Sequence, residues 1–389
     1  MQRLADLPVE GRRVLVRVDF NVPLDDSGRV TSDNRIEAAL PTIRSLLGRG
    51  ARPILMSHLG RPKGKVVDSM RLAPVGRRLA ELTGWTVRTA PDCVGEEAEA
   101  AARALGGGEV LLLENLRFHA GETKGDEGFA EALAALGEAY VNDAFGTCHR
   151  AHASVALLPR LLPSAPGLLL EKEIEAFSKV LEEPERPFVA VLGGAKVSDK
   201  LPVIRNLLPK VDRLLIGGAM AYTFLAAKGV PVGGSRLEDD LRGEARSVLD
   251  EATSSGKVLL LPSDHCAALR FAEDSPYEIT GPEIPEGLMG LDIGPETRKA
   301  YAGALEDAGT IVWNGPMGVF EWTEFRRGTE AVAEAVAVSP GFSVVGGGDS
   351  VAALELLGLQ DRIRHISTGG GASLELLEGK TLPGLAALS

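Results

Sequence analysis

Short apolar segments rich in Val, Ile and Leu recur along the first half of the chain, separated by longer stretches that mix apolar and polar residues. These segments lie at 14–18, 52–57, 109–114 and 139–143. Their length and composition are typical of buried strands, and the stretches between them have the composition of helices. Strands that alternate with helices predict a parallel sheet of the α/β class.

The second half repeats one pattern, in which an apolar strand runs directly into a glycine-rich turn. The pattern occurs in FVAVLGGAK (188–196), RLLIGGAMA (213–221), TIVWNGPMG (310–318), FSVVGGGDS (342–350) and RHISTGGGAS (364–373). The carboxyl ends of parallel strands share one edge of a sheet, where glycines let backbone N–H groups approach an anion closely. For any one of these turns, the need for a tight strand-to-helix connection explains the glycines about as well as phosphate binding does. All of them together predict a nucleotide-phosphate site.

The length of the chain favours two domains, because single hydrophobic cores stop growing beyond roughly 250–300 residues and this chain has 389. Proline clusters between 160 and 187 surround one amphipathic run at 168–182, which we expect to be a helix between the domains. The predicted fold is two doubly wound, Rossmann-like parallel-sheet domains joined by a hinge helix. We place the domain boundary between residues 170 and 171.

Charge and cysteine content narrow the class of protein. The net charge of −12 disfavours nucleic acid and anionic membranes as partners. Cys93, Cys148 and Cys266 show no CxxC spacing, so neither a disulfide framework nor a thiolate metal site is indicated. The N-terminus lacks an apolar signal segment, and no run of roughly 18 apolar residues occurs. We therefore expect a cytoplasmic protein, and we assign no transition metal to its histidines, which lack a recognised ligand spacing.

Familiar nucleotide and hydrolase signatures are absent from the sequence. It contains no GxxxxGK[ST] P-loop and no GxGxxG turn after a strand. The HRD and DFG motifs of protein kinases are also missing. The GxSxG elbow that would indicate a Ser-His-Asp triad is also missing. A nucleotide site in this chain must therefore use a different glycine-rich design.

Basic side chains of the first half concentrate just after the predicted strands, beside a carboxylate and an amide. The set comprises Arg17, Asp19, Asn21, Arg35, His58, Arg61, Arg117 and Arg150. Several positive groups are hard to hold together without an anion among them, so the set predicts a small, doubly anionic ligand. Each arginine alone is more simply explained as a solvated surface residue.

In the second half, Lys196 and Lys200 lie four residues apart, which would place both on one face of a helix that opens there. A lysine at a helix N-terminus opposes the dipole, and a bound phosphate would explain it; an exposed lysine pair is the alternative. Asp349 follows three glycines and could cap the next helix or hold Mg²⁺ beside phosphates. Glu321, seven residues after Asn314, is suited to accept hydrogen bonds from ribose hydroxyls.

Several motifs, taken in order and nearly end to end, resemble those of the phosphoglycerate kinase family. They are RVDFNVP, SHLGRP, LENLRFH, YVNDAFGTCHRAHAS, GGAKVSDK, MGLDIGPET, TIVWNGPMGVFE, GGGDS and STGGGASLELLEGK. The resemblance implies a Mg²⁺-dependent enzyme of glycolysis and gluconeogenesis, which moves a phosphoryl group reversibly from 1,3-bisphosphoglycerate to ADP and so gives 3-phosphoglycerate and ATP. It also implies a phosphoglycerate-binding domain, 1–170 with 374–389 returning to it, and a Mg-nucleotide-binding domain, 171–373. We expect a monomer whose partners are these small molecules.

The same resemblance carries site residues onto matching positions. For the phosphoglycerate these are Asp19, Asn21, Arg35, His58, Arg61, Arg117 and Arg150. For the nucleotide they are Gly194, Lys196, Lys200, Gly218, Gly290, Asn314, Val319, Glu321, Gly348, Asp349 and Ser350, with Asp349 as the magnesium ligand. The catalytic set is Arg35, Lys196, Lys200, Gly370 and Gly371, with Gly369 beside it.

The sequence departs from the usual family pattern at three places: Ala219 replaces a third glycine, Cys148 replaces an alanine, and LPSDHCAALRF (261–271) is unusual. None of them changes a charged candidate residue, so activity is expected, and Ala219 bears only on nucleotide preference.

The implied reaction needs no general base, since the acceptor carboxylate is already ionised at neutral pH. We expect Arg35 and Lys196 to neutralise the transferring group after the two domains close. A binding protein without activity is a second hypothesis. An NAD-dependent dehydrogenase is a third, which the missing GxGxxG turn disfavours.

Overall fold

The computed structural model describes residues 1–389 and divides them into two compact units. Unit 1 comprises Met1–Glu175 and Thr381–Ser389, and unit 2 comprises Ala176–Lys380. The chain passes from one unit to the other after Glu175 and again after Lys380. Both points lie a few residues later than the boundaries expected from the sequence, 170–171 and 373–374.

Unit 1 is built on one six-stranded parallel sheet. Its strands are β1 (Arg13–Arg17), β2 (Arg52–Met56), β3 (Thr86–Thr89), β4 (Glu109–Leu112), β5 (Ala139–Asn142) and β6 (Ser164–Pro166). They lie in the order β3-β4-β2-β1-β5-β6. The strands predicted in the first half are β1, β2, β4 and β5, and their nearly continuous burial explains their unbroken apolar sequence.

Unit 2 contains a second six-stranded parallel sheet and a small antiparallel one. The strands are β7 (Phe188–Leu192), β8 (Arg213–Ile216), β9 (Val258–Leu260), β10 (His265–Ala268), β11 (Tyr277–Thr280), β12 (Met289–Ile293), β13 (Thr310–Asn314), β14 (Phe342–Gly346) and β15 (His365–Ile366). The parallel order is β15-β14-β13-β7-β8-β9, and the antiparallel order is β11-β10-β12. The antiparallel sheet was not predicted, because β10 and β11 are short and lack a run of Val, Ile and Leu.

Helices connect the strands of both parallel sheets. They are α1 (Asn34–Gly48), α2 (Ala73–Thr83), α3 (Glu96–Arg103), α4 (Ala120–Lys124), α5 (Glu127–Ala134), α6 (Leu168–Leu181), α7 (Leu201–Leu207), α8 (Met220–Ala227), α9 (Arg242–Ser254), α10 (Pro295–Leu305), α11 (Arg327–Val338), α12 (Gly348–Leu357), α13 (Gly371–Leu377) and α14 (Pro383–Ala386). The bounds of α6 match the helix predicted at 168–182. None of the helices combines the length and the apolar character that a membrane span requires.

Local signals explain where individual helices begin and end. α2 has proline in its first turn and stops at Gly84, whose φ of 72° is left-handed. Asp126 caps α5 by accepting a hydrogen bond from Phe129 N over 2.8 Å. Helices that begin and end at such residues are joined to the strands by short loops. These loops contain the polar residues and glycines.

The order of the strands in unit 2 points to one edge of its parallel sheet. From β7 the chain continues to β8 on one side, whereas β13 lies on the other side. Open parallel sheets bind ligands at such a switch, outside the carboxyl ends of the strands. The strands that run into glycine-rich turns, β15, β14, β13, β7 and β8, are consecutive neighbours. The predicted fold class, with two parallel sheets and interleaved helices, is confirmed.

Candidate active site

The residues predicted to bind an anion in unit 1 lie on loops at the carboxyl edge of its sheet. In chain order these are Asp19 and Asn21 after β1, Arg35 in the first turn of α1, His58 and Arg61 after β2, Arg117 after β4 and Arg150 after β5. Since β4, β2, β1 and β5 are neighbours, the topology brings these loops to one edge.

Hydrogen bonds join three of these loops around Gly60. Gly60 N donates to Asn21 Oδ1 over 2.8 Å, and Gly60 O accepts from Arg117 Nη1 over 2.9 Å. The φ of Gly60 is 63°, in the left-handed region that glycine adopts without strain. Phe20 N also donates to Ser57 Oγ over 2.9 Å. The loops after β1, β2 and β4 therefore form one hydrogen-bonded layer.

Asp19 lies between Arg35 and His58. Arg35 Nη1 donates to Asp19 Oδ2, and His58 Nδ1 lies 3.9 Å from Asp19 Oδ1. Asp19 Oδ1 is buried and has no hydrogen-bond partner. The Arg35 side chain is 43% exposed, so its guanidinium is accessible to a ligand.

Burial and neighbouring positive charge keep the histidines His58 and His152 of this site neutral at neutral pH, whereas its arginines stay charged. Desolvation, followed by Arg17 and Arg117, holds the pKa of His58 well below its ordinary value. Desolvation and the same arginines lower the pKa of His152 to about 4. Desolvation, with Arg17 and Arg150 nearby, lowers the pKa of Arg117 to about 10, and Arg117 Nε is buried without a partner. A bound anion would reduce this repulsion and could supply the missing acceptor.

Arg17 belongs to this cluster; the basic set recognised in the sequence included it, but the site residues implied by the family resemblance did not. It is fully buried, its Nε donates to Ser154 Oγ over 3.0 Å, and its Nη2 lies 3.1 Å from His58 Nδ1. Ser154 Oγ in turn donates to Glu122 Oε1 over 2.6 Å. The sequence already indicated a special role for Arg17, because an arginine within an apolar strand must find polar partners in the interior. Ser154 and Glu122 come from distant segments and carried no such signal.

In unit 2, a cavity of about 660 Å³ opens beside the carboxyl ends of β7, β13 and β14. The first turns of α7, α12 and α13 contribute to its lining. Helix N-termini present unpaired N–H groups that favour anions. The predicted nucleotide and catalytic residues in the lining are Gly194, Lys196, Lys200, Asn314, Gly348, Asp349, Ser350, Gly370 and Gly371.

The two lysines do not share a helix face, so that prediction is wrong. The segment 193–200 is irregular, and α7 begins only after Lys200, with Pro202 in its first turn. Proline fits the first turn of a helix but not its interior, which sets this late start. Lys200 Nζ donates to Asn314 Oδ1, and burial lowers its pKa, whereas Lys196 is exposed.

Close backbone packing explains why one of the candidate residues, Gly218, is a glycine. A Cβ on Gly218 would lie 2.5 Å from both N and O of Gly194, so the turns after β7 and β8 can meet only if residue 218 is glycine. Gly194 N donates to Pro316 O over 3.1 Å, and Gly218 N donates to Met317 O over 3.0 Å. Gly218 therefore supports the cavity without lining it.

Asp349 lies in the first turn of α12 but does not cap it. The N-cap is Gly347, whose φ is 92°, and no side chain caps this helix. The interpretation of Asp349 as an N-cap is wrong, because the residue lies inside the helix, two positions beyond the cap. Its exposed carboxylate borders the cavity instead. Ser350 Oγ accepts a hydrogen bond from Gly315 N over 2.6 Å and so joins α12 to the turn after β13.

Three other predicted nucleotide residues lie away from the cavity lining. Gly290 lies in β12, where a Cβ would come within 1.9 Å of Tyr222 Oη. Val319 N donates to Leu291 O over 3.0 Å, so the loop that carries Val319 and the exposed Glu321 runs along the strand that carries Gly290.

A separate grouping in unit 1 places ligand atoms of Asp92, Cys93 and His119 within 4.8 Å of one another. Asp92 Oδ1 already lies 2.6 Å from His119 Nε2 and accepts from Cys93 N over 2.6 Å. Burial raises the pKa of the Cys93 thiol. Hydrogen bonds among the three residues therefore account for their proximity.

The sequence matches the phosphoglycerate kinase family over residues 4–380. The chain belongs to this family. The phosphoglycerate kinase of Moorella thermoacetica is 60% identical over 387 residues, which cover 99% of this chain and 98% of that protein. The phosphoglycerate kinase of Desulfosudis oleivorans is 56% identical over 390 residues, which cover 100% of this chain and 98% of that protein.

Solved structures agree with this membership of the phosphoglycerate kinase family. The structure of phosphoglycerate kinase from Coxiella burnetii has a TM-score of 0.92 at 40% identity and covers 100% of this chain and 98% of its own. That of phosphoglycerate kinase from Pyrococcus horikoshii has a TM-score of 0.87 at 36% identity, with the same coverage. The family predicted from the motifs is confirmed.

Proposed function

We propose that the chain carries out reversible phosphoryl transfer from 1,3-bisphosphoglycerate to ADP, giving 3-phosphoglycerate and ATP, with phosphoglycerate bound by unit 1 and Mg-nucleotide by unit 2. Membership of the phosphoglycerate kinase family makes it a phosphotransferase with a carboxyl group as acceptor, and ATP and ADP are its co-substrates. Its place in glycolysis and gluconeogenesis follows from that reaction.

The observation that carries the assignment of unit 1 is the buried positive charge around Arg117. Arg17 and Arg150 both lower the pKa of Arg117, and Arg117 Nε lacks an acceptor. The nearby carboxylate of Asp19 is already bonded to Arg35. A phosphate ester offers both the negative charge and the oxygen acceptors that this cluster lacks.

Binding of nucleotide phosphates in unit 2 is supported by the lysines and helix N-termini around its cavity. Asn314 holds Lys200 at the lining, where we assign it to orient a phosphate. Lys196 is exposed at the same cavity. Gly370 and Gly371 at the start of α13 offer backbone N–H groups to the transferring phosphoryl group.

Asp349 fits a Mg²⁺ ion that accompanies the nucleotide. Its carboxylate is exposed at the cavity and is not used to cap α12. Mg²⁺ prefers oxygen ligands and usually combines one or two carboxylates with substrate phosphates. When bound, the ion would neutralise part of the phosphate charge.

The chemistry requires positioning and charge neutralisation, with no proton transfer by a side chain. In the ATP-consuming direction, an ionised carboxylate oxygen of 3-phosphoglycerate forms the new P–O bond as the bond to ADP breaks. Negative charge spreads over three equatorial oxygens of the transferring group. We assign Arg35 and Lys196 to neutralise it, assisted by the glycine N–H groups. Turnover therefore needs both Arg35 of unit 1 and Lys196 of unit 2.

The proposal is tested by phosphoryl transfer from ATP, followed as ADP formation, with 3-phosphoglycerate and with glycerate as acceptors. Without a phosphate for the arginines, glycerate should lower kcat/KM by about 100-fold or more, as expected when charge-assisted hydrogen bonds are lost. Removal of Mg²⁺ with EDTA should abolish turnover.

Equal rates with both acceptors would refute the assignment of unit 1. If no ADP forms with either acceptor, the result would favour the alternative hypothesis of a binding protein without activity.

A further inference from the structure

The segment 318–328 of unit 2 leaves the region of β13 and returns at the start of α11. It carries Val319 and Glu321, two residues assigned to the nucleotide that lie outside the cavity lining. Its two ends lie close together, since Met317 N donates to Thr329 Oγ1 over 3.0 Å.

One carboxylate, that of Asp292 on β12, contacts both ends of this segment. Gly328 N donates to Asp292 Oδ2 over 2.7 Å. A Cβ on Gly318 would lie 2.3 Å from Asp292 Oδ1, and a Cβ on Gly328 would lie 2.2 Å from the same atom. The glycines at both ends therefore leave space that the carboxylate fills. Val319 N, next to the first glycine, donates to Leu291 O beside Asp292.

This carboxylate is held in an unfavourable environment. Asp292 is 1% exposed, and Oδ1 has no hydrogen-bond partner. Burial raises its pKa to about 7, against the opposing effects of the Gly328 hydrogen bond and of Arg298 and Arg327. Cys266 lies opposite Asp292 in the antiparallel ladder and is one of its titratable neighbours. An apolar side chain of similar size would avoid this penalty, but it could not accept the Gly328 hydrogen bond.

Packing in the middle of the segment does not replace this contact. Phe325 is fully buried against Cys266, Ala268 and Leu291, and it fixes the second half of the segment. Val319 also packs, partly buried, against this cluster, whereas the exposed Glu321 does not belong to it. The cluster does not include Gly318, which precedes both residues and packs on the carboxylate.

We propose that Asp292 is a positioning residue for nucleotide binding, whose carboxylate fastens both ends of segment 318–328 and thereby places Val319 and Glu321 at the nucleoside. The inference rests on the proposed function, in which those two residues contact the nucleotide. Asp292 itself touches neither substrate. Residues that orient binding groups act through geometry, so their loss changes affinity for one ligand selectively.

The test compares Asp292→Ala and Asp292→Asn with wild type in steady-state kinetics for ATP and for 3-phosphoglycerate. Asp292→Ala should raise the KM for ATP about tenfold, and Asp292→Asn, which keeps one acceptor oxygen, about threefold, while the KM for 3-phosphoglycerate stays within about twofold. Preference for ATP over its 2′-deoxy and 3′-deoxy analogues should fall in both variants, since Glu321 is assigned to the ribose hydroxyls.

Asp264→Asn is the matched control. Asp264 is also a buried carboxylate of unit 2, but it accepts hydrogen bonds from Glu296 N and Thr297 N at the start of α10. Its replacement should lower the Tm without a selective change in the KM for ATP. If Asp292→Ala does not fold, Asp292→Asn carries the test.

An unchanged KM for ATP and unchanged analogue preference in folded Asp292→Asn would overturn the inference, and so would an equal selective effect of Asp264→Asn. Glu321→Ala separates this failure from failure of the proposed function. If Glu321→Ala weakens ATP binding but Asp292→Asn does not, only the positioning role of Asp292 is refuted. If Glu321→Ala also has no effect, the nucleotide assignment of the segment is refuted as well.

Discussion

Arg117 shows how burial of one side chain prepares a site for an anion. Its Nη1 is used by Gly60 O, but its Nε is buried without an acceptor. A buried, unpaired donor destabilises the protein unless a ligand satisfies it. Because His58 and His152 have depressed pKa values, they add hydrogen-bonding capacity to this site but no charge at neutral pH. Its positive charge therefore comes from arginines and should be constant between about pH 6 and 8.

Replacement of Arg35 should affect turnover more than binding. Its exposed guanidinium contacts only Asp19 in the structure, so it is available to neutralise charge that develops in the transition state. Arg35→Ala should lower kcat by 100-fold or more, which corresponds to roughly 3 kcal/mol. Steady-state kinetics with saturating ATP and 3-phosphoglycerate provide the measurement.

Arg44→Ala provides the control for Arg35. Arg44 is an exposed residue of the same helix, α1, and should leave kcat within about twofold of wild type, as surface substitutions usually do. A wild-type kcat in Arg35→Ala would contradict the assigned role.

Among the elements, α6 begins against one buried carboxylate. Asp143, just after β5, accepts hydrogen bonds from Leu169 N over 2.9 Å and Leu170 N over 3.3 Å in the first turn of α6. A Cβ on Gly167 would lie 2.2 Å from Asp143 Oδ1, so the chain enters the helix in direct contact with this carboxyl group. Burial raises the pKa of Asp143 to about 7.

The raised pKa of Asp143 makes its contribution to stability fall as pH rises. The folded protein binds the proton more tightly than the unfolded chain, so the stabilisation is complete below about pH 4 and is lost by about pH 7. The free energy of unfolding of wild type, relative to Asp143→Asn, should therefore decrease by on the order of 4 kcal/mol between pH 4 and pH 8. Urea titrations followed by circular dichroism measure this difference.

Asp33→Asn provides a control of opposite sign. The hydrogen bonds from Arg78 lower the pKa of Asp33, so its contribution is present above the unfolded pKa and is lost as pH falls. The difference between wild type and Asp33→Asn should therefore grow as pH rises toward about 4 and stay nearly constant from pH 4 to pH 8. A flat difference for Asp143→Asn would show that its carboxyl group is not protonated in the folded protein.

At the scale of the whole molecule, each unit has its own sheet, its own core and its own candidate ligand. This organisation predicts that a substitution in one unit impairs binding of that unit's ligand and leaves binding of the other ligand nearly unchanged. Arg117→Ala should weaken 3-phosphoglycerate binding about tenfold or more and leave MgADP affinity nearly unchanged, because a charge-assisted hydrogen bond is lost in unit 1 alone. Asp349→Ala should do the reverse. Isothermal titration calorimetry of each variant with each ligand measures both effects, and equal losses for both ligands would contradict the division.

Sequence patterns predicted the elements that depend on local composition. Buried parallel strands are continuous apolar runs, so β1, β2, β7 and β13 were visible in the sequence. The helix start near Lys200 was misplaced, because spacing suggested a helix face while Pro202 determined the first turn. The role of Asp349 was also ambiguous from the sequence, because it depended on where α12 begins. The N-cap position and the position that Asp349 occupies differ by only two residues.

The family, the fold class and the residues that follow each strand could be predicted from the chain alone, because these depend on composition and order along it. Which buried groups meet became visible only in the folded protein. Arg17 with Ser154, Ser154 with Glu122, and Asp292 with Gly318 and Gly328 are contacts between segments far apart in the chain or on different elements. Such contacts arise because a folded interior must satisfy each buried polar group with whatever partner the topology brings near, and no local pattern records that choice.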